Sequence, residues 1–281
     1  MNITQSRMMF AGVILLLVFR IASAESQSEA QPSPVNLVWA VIRSELNISL
    51  TEIRWKYLLV KEVDGKQETR EVVETKSGSL DRLIAIAGVP LTDAQQHGET
   101  ERILRLSHNP EEQHKFEQTH RKDAEQCNRF LQMIPDAFLF EYAGENGGRI
   151  KLIFKPNPRF QPPSREGKVL HEMAGEIWVD AKHQRLVSIN GQLINEVKFA
   201  RGLLGHLEKG GQFTVKRTEI TPGHWELTEM AVDMRGKALL FKTISVQQKE
   251  LHSNFQPVPD DLSLSDAAGF LLKQALIAAK R

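Results

Sequence analysis

Between Gly175 and Gln248 the chain reads as five strand-forming runs: "GEIWVDA", "RLVSINGQLINEVKF", "GQFTVKRTEI", "HWELTEMAVDM" and "ALLFKTISVQQ". They are separated by Ala181-Lys182-His183-Gln184, the glycine-rich stretch "FARGLLGHLEKGGQF", Thr221-Pro222-Gly223 and Arg235-Gly236. Strands joined without room for a crossover of a dozen or more residues pair antiparallel. No other feature restricts the fold as strongly, and it places the chain among antiparallel-sheet architectures.

The upstream sequence adds strands and helices. "VNLVWAVIRSEL" sets Val38, Val41, Ile42 and Leu46 on one helical face, with Asn36 as its cap. "LTEIRWKYLLVKEVDGKQETREVVETK" turns at Asp64-Gly65, a hairpin signal, and "LDRLIAIAG" supplies a third strand closed by "GVPLT". Residues 92–134 have helix-forming composition from a Thr92 cap and break at Asn109-Pro110. Between Ser107 and Gln126 only Phe116 and Ala124 are apolar, so this charged helical hairpin projects into solvent or lies lightly on the body. A second hairpin follows in "DAFLFEYAGENGGRIKLIFKPNP", then a short helix in "REGKVLHEMAG". The chain ends in an apolar-faced helix over about 265–280, capped by Ser265. The predicted fold is α+β: a strongly curved antiparallel sheet with covering helices and an inserted helical hairpin, in one domain spanning 35–281.

Alternation along the strands identifies the faces. Val187, Ile189, Leu193, Val197 and Phe199 share one side of their run, and Ser188, Asn190, Gln192 and Glu196 the other. In the next strands Trp225 and Leu227 oppose Met230, Val232 and Met234. Apolar side chains on both faces mean a sheet covered on both sides, or one face lining an apolar hollow. If there is a hollow, its predicted lining is Val187, Ile189, Leu193, Val197, Phe199, Phe213, Val215 and Trp225.

The N-terminus fits a secretory signal peptide. Arg7 precedes the apolar run Met8–Phe19, and Ala22-Ser23-Ala24 supplies the small-residue cleavage pattern. Cleavage is expected after Ala24, with a retained anchor as the alternative, followed by a disordered leader over 25–34. The expected location is periplasmic or secreted, at most peripheral to a membrane. Losing Arg7 and Arg20 leaves 34 of the 36 basic side chains against 35 acidic ones. A near-neutral chain has no global attraction to nucleic acid, which rewards a concentrated basic face. The single cysteine, Cys127, has no disulfide partner within the chain, so the core must hold the fold together. Phe130, Leu131 and Ile134 follow it at helical spacing, which reads as a buried thiol.

No chemical motif survives inspection. "GHLEKGGQF" starts like a phosphate-binding loop, but Gly211 and Gln212 stand where its lysine and hydroxyl belong, and a strand follows instead of a helix. No two of the nine histidines are four residues apart, and there is no C-x-x-C. The G-x-S-x-G nucleophile elbow is also missing. Neither catalysis nor a cofactor nor a bound metal is expected.

From Gly175 to Val246 the succession of a glycine-led strand with tryptophan and acid, a hairpin and long antiparallel strands resembles the LolA/LolB-like proteins. "IAIAGVPLTDAQQHGETERI" is similar to exported Gram-negative members of that group. The resemblance covers about residues 52–255 and implies an incomplete β-barrel with helices over its open side. It further implies a hollow that accepts acyl chains, or a surface that recognises an envelope protein. The charged helices at 92–134 depart from the simple carrier pattern.

Overall fold

Thr92 starts the helix Asp93–His108 of the inserted segment through a capping box: its hydroxyl accepts from the Gln95 backbone, and the Gln95 side chain accepts from Thr92. The computed structural model describes residues 32–47, 53–199, 205–238 and 242–278. The expected signal peptide, its cleavage point and nearly all of the leader lie outside them. From Ser33 onward the chain is one compact unit. In order it comprises α1 (Pro34–Asn47), β1 (Arg54–Val63), β2 (Lys66–Thr75), β3 (Gly78–Ile86), β4 (Val89–Pro90), α2 (Asp93–His108) and α3 (Pro110–Ala137). There follow β5 (Phe138–Asn146), β6 (Arg149–Pro156), α4 (Arg165–Leu170), β7 (Met173–Asp180), β8 (Arg185–Leu193), β9 (Val197–Phe199) and β10 (Gly205–Leu207). The chain closes with β11 (Gln212–Thr221), β12 (His224–Ala238), β13 (Lys242–Val258) and α5 (Leu264–Ala278).

All thirteen strands described belong to one open antiparallel sheet, ordered β4-β3-β2-β1-β13-β12-β11-β8-β7-β6-β5, with β9 and β10 attached beside β12. The fold is therefore α+β and mostly antiparallel sheet, as expected. Asp64-Gly65 and Gly147-Gly148 carry the positive φ values that two-residue hairpins need.

Several expected boundaries move, each for a local reason. The first helix is capped by Ser33, whose hydroxyl accepts from Asn36, with Pro34 leading the first turn. The last helix is capped by Ser263 in reciprocal bonds with Asp266, while Ser265 donates to the Ser107 carbonyl. The run 185–199 divides into β8 and β9. The glycine-rich stretch holds the short strand β10, with 200–204 outside the described residues. Arg235-Gly236 is not a turn: β12 runs through it, and Gly236 faces Ile244. That glycine serves close approach, because a Cβ there would sit 2.1 Å from the His206 carbonyl oxygen on β10.

The sheet buries two cores. One joins α1, the end of α3, α4 and strands β5–β8, with Leu152, Val179 and Leu193 almost fully enclosed. The other joins Val73 and Leu80 to Ile103 of α2 and to Ala267, Ala268 and Leu271 of α5. Each fully buried aliphatic side chain stabilises by about 1.5–3 kcal/mol. Register places the cores on opposite faces. Val73 pairs with Lys56; Val60, on the same side as Lys56, pairs with Leu251, and Leu251 pairs with Glu229, the neighbour of Met230. Met230 faces the first core's side, so Val73 faces away from it.

α3 connects the two sides. Phe116 packs against the second core and Phe130 against the first. Between them residues 121–129 are exposed throughout, beside the β2–β3 turn. Cys127 is therefore exposed and not buried, because it lies on the stretch of the helix between its contact with the second core at Phe116 and its docking on the first from Phe130 onward. β4 pairs with β3 only at Ala85 and Ile86, and α2 covers the rest of that side of β3: Glu99 accepts from the Leu83 amide at 2.7 Å, and Arg102 donates to the Asp81 carbonyl at 2.5 Å.

Candidate apolar binding site

A cavity of about 390 Å³ lies between the sheet and helices α1, α3 and α4. Val38, Val41 and Ile42 reach it from α1 at helical spacing. Phe130, Leu131 and Ile134 come from α3, and Val169 and Leu170 from α4. The floor alternates Met173, Ile177 and Val179 on β7, then Leu186 and Ile189 on β8, Phe213 and Val215 on β11, and Met230, Val232 and Met234 on β12. The open wall is apolar throughout.

Of the eight side chains predicted to line a hollow, Ile189, Phe213 and Val215 do so. Val187 does not. Trp178 pairs with Ser188 and Val179 with Leu186, so Val187 is an extra residue and Leu186 takes the inward place. Leu193 and Val197 are buried in the same core outside the cavity wall, and Phe199 packs against that core. Trp225 is buried beyond the wall. β12 carries a second bulge. Lys216 faces Glu229 and Arg217 faces Leu227, so Thr228 is supernumerary, and Leu227 and Trp225 return to the face of Met230, Val232 and Met234. The expected opposition of those two sets is corrected: they share a face. Among Leu239, Leu240, Phe241 and Ile244, none has a described side chain.

Glu45 of α1 is the one charged side chain on the cavity's lining, and it is only 6% exposed. Arg217 donates to its Oε2, and Arg185 Nε lies 3.4 Å from its Oε1. The second terminal nitrogen of Arg217 donates to the Trp225 carbonyl. Next in line is Glu226, which accepts from Trp55 Nε1 at 2.6 Å. Burial and the negative charge of Glu74 push the Glu226 carboxyl up to about 7, although Arg217 and Arg185 act in the opposite sense. A buried polar seam thus runs behind the apolar wall, reaching the chamber's lining only at Glu45. The cavity residues contributed by helices were missed in sequence because helical spacing shows a buried stripe but not what the stripe faces.

Among the described residues no group of three or more His, Cys, Asp and Glu side chains is placed to hold a metal ion. None of the described helices is long and apolar enough to cross a membrane, which says nothing about spanning by strands. No family model and no curated protein matches this chain.

Proposed function

We propose that this is an exported, non-catalytic binding protein that holds an apolar ligand, a lipid or acyl chain, between its sheet and helices α1, α3 and α4. The observation carrying the reading is the 390 Å³ chamber with a wholly apolar wall, a volume within the range of small-molecule sites. Desolvation of an apolar chain against such a wall is favourable, at roughly 25 cal/mol per Å². Export, to a periplasmic or secreted location, rests on the Arg7, Met8–Phe19 and Ala22-Ser23-Ala24 pattern. Kinship with the LolA/LolB-like carriers, and with their incomplete barrel, belongs to the same proposal; the open antiparallel sheet with helices over one face supports it. Native purification, organic extraction and mass spectrometry test the reading. One class of apolar molecule should co-purify with wild type and be depleted from Ile189→Trp, whose indole fills the chamber. Ligand-free protein that also takes up no apolar dye would overturn it.

A second reading, recognition of an envelope protein by the helical insertion, is favoured by the nine exposed residues 121–129 of α3. A photo-crosslinker on Cys127 should then capture one defined envelope protein. Neutralising Arg121, Lys122 and Arg129 should abolish that adduct, and an unchanged adduct pattern counts against the reading.

A further inference from the structure

Glu45 is the one charged residue on the chamber's lining, and the chemistry packed behind it selects among apolar ligands. Glu45, Arg185 and Arg217 form a buried group of two cations and one anion. Two of the three nitrogens of Arg217 are used, by Glu45 and by the Trp225 carbonyl; its Nε is buried with no acceptor among the described residues. A buried charged donor left without an acceptor is costly, and such groups are nearly always satisfied. A further acid that feels the Arg217 charge, Glu226, is engaged by Trp55. Arg217 follows Val215 on the same face of β11, and Val215 lines the chamber, so the guanidinium belongs to the chamber's side of the sheet.

We propose that the natural ligand is a single-chain amphiphile bearing one anionic group, a carboxylate or a phosphate, which docks on Arg217 in competition with Glu45. The inference rests on the binding reading above and adds the headgroup to it. A cationic headgroup would be repelled by the Arg217 guanidinium, and an uncharged one would leave its Nε donor without a charged acceptor. An anion receives charge-assisted hydrogen bonds, and a guanidinium offers them in a planar fork suited to carboxylate and phosphate. The chain's apolar remainder then lies along the wall formed by Val215, Phe213 and Ile189.

The test compares probes of equal chain length on the full chain: hexadecanoate, hexadecyl phosphate and hexadecanol, each displacing the uncharged dye N-phenylnaphthylamine below its aggregation concentration. One of the anions should bind about tenfold or more tightly than the alcohol, as expected for a hydrogen bond to a charged group, and the stronger anion identifies the headgroup. Arg217→Gln should remove that preference, read as the ratio of anion to alcohol affinity. Because Arg217→Gln strands Glu45 and can destabilise the fold, Glu45→Gln is the second variant. By freeing Arg217 it should tighten anion binding and raise the ratio of anion to alcohol affinity. Equal affinity for anions and alcohol in wild type, or Glu45→Gln leaving anion binding unchanged, overturns the headgroup proposal while the apolar-ligand reading stands. No uptake of dye, alcohol or anion overturns both.

Discussion

Leu186 and Ile189 stand three residues apart on β8 and line the same cavity, a spacing that regular strand alternation forbids. The extra residue is Val187, opposite the Trp178–Val179 step of β7. The bulge re-aims Leu186 inward and keeps Ile189 inward beyond it. A second bulge at Thr228 does the same for β12, gathering Leu227 and Trp225 with Met230. Two single-residue insertions thus turn a two-sided apolar pattern into a one-sided apolar face.

This geometry predicts that Leu186→Ser is more harmful than Val187→Ser. Leu186 faces the chamber and packs against the core, so its truncation to a hydroxyl should cost about 2–4 kcal/mol. Val187, the residue the bulge turns away, should cost about 1 kcal/mol or less. Urea unfolding of the two variants checks the order; equal or reversed costs would mean that β8 is in regular register.

Gly191 and Phe213 make a second test of the chamber wall. They pair directly across β8 and β11, and a Cβ on Gly191 would lie 2.1 Å from the Phe213 ring. Gly191→Ala should swing that ring, which lines the chamber, and destabilise by about 1–3 kcal/mol. Gly98 of α2 has open space around it; Gly98→Ala should stabilise by about 0.5–1 kcal/mol through helix propensity. Thermal melts of both, with dye uptake measured for Gly191→Ala, test whether close packing or mere glycine flexibility governs the site.

The same particulars show how much was legible in the sequence. Turn chemistry at Asp64-Gly65, the Thr92 cap and the Asn109-Pro110 break act over a few residues, so each gave its element directly. The inward set was legible only at Ile189, Phe213 and Val215, because a bulge leaves no local mark and inverts the parity of every residue beyond it. Ser33 and Ser263 outcompeted Asn36 and Ser265 as caps by one turn geometry that sequence spacing does not resolve. The Glu45–Arg185–Arg217 group joins residues more than a hundred positions apart, and no local pattern announces it.

Gly78 governs where α3 rounds the sheet. Its φ is +134°, and a Cβ there would sit 2.5 Å from the His120 ring. Gly78→Ala therefore strains the turn and pushes α3 outward. Hydrogen exchange should accelerate over the exposed middle of α3 and the β2–β3 turn, while the amides of β7 and β8 keep their protection. Uniform loss of protection across both cores would show that the crossing is not an independent element.

Glu226 gives the protein a predictable pH response. Its carboxyl is held near 7 in the folded state, mainly by burial and by Glu74, against an ordinary value near 4.5. The folded state therefore keeps this proton more tightly than the unfolded chain does. The stability it contributes is full below about 4.5, is lost as pH rises toward 7, and stays lost above that. Glu226→Gln never ionises and retains an oxygen to accept from Trp55 Nε1. It should match wild type near pH 4.5 and exceed it at pH 8 by on the order of 1 kcal/mol, the carboxylate being partly exposed and screened by solvent. Denaturant midpoints of both proteins across this range check the sign; a gap that is constant with pH, or that opens toward acid, would place the titration elsewhere.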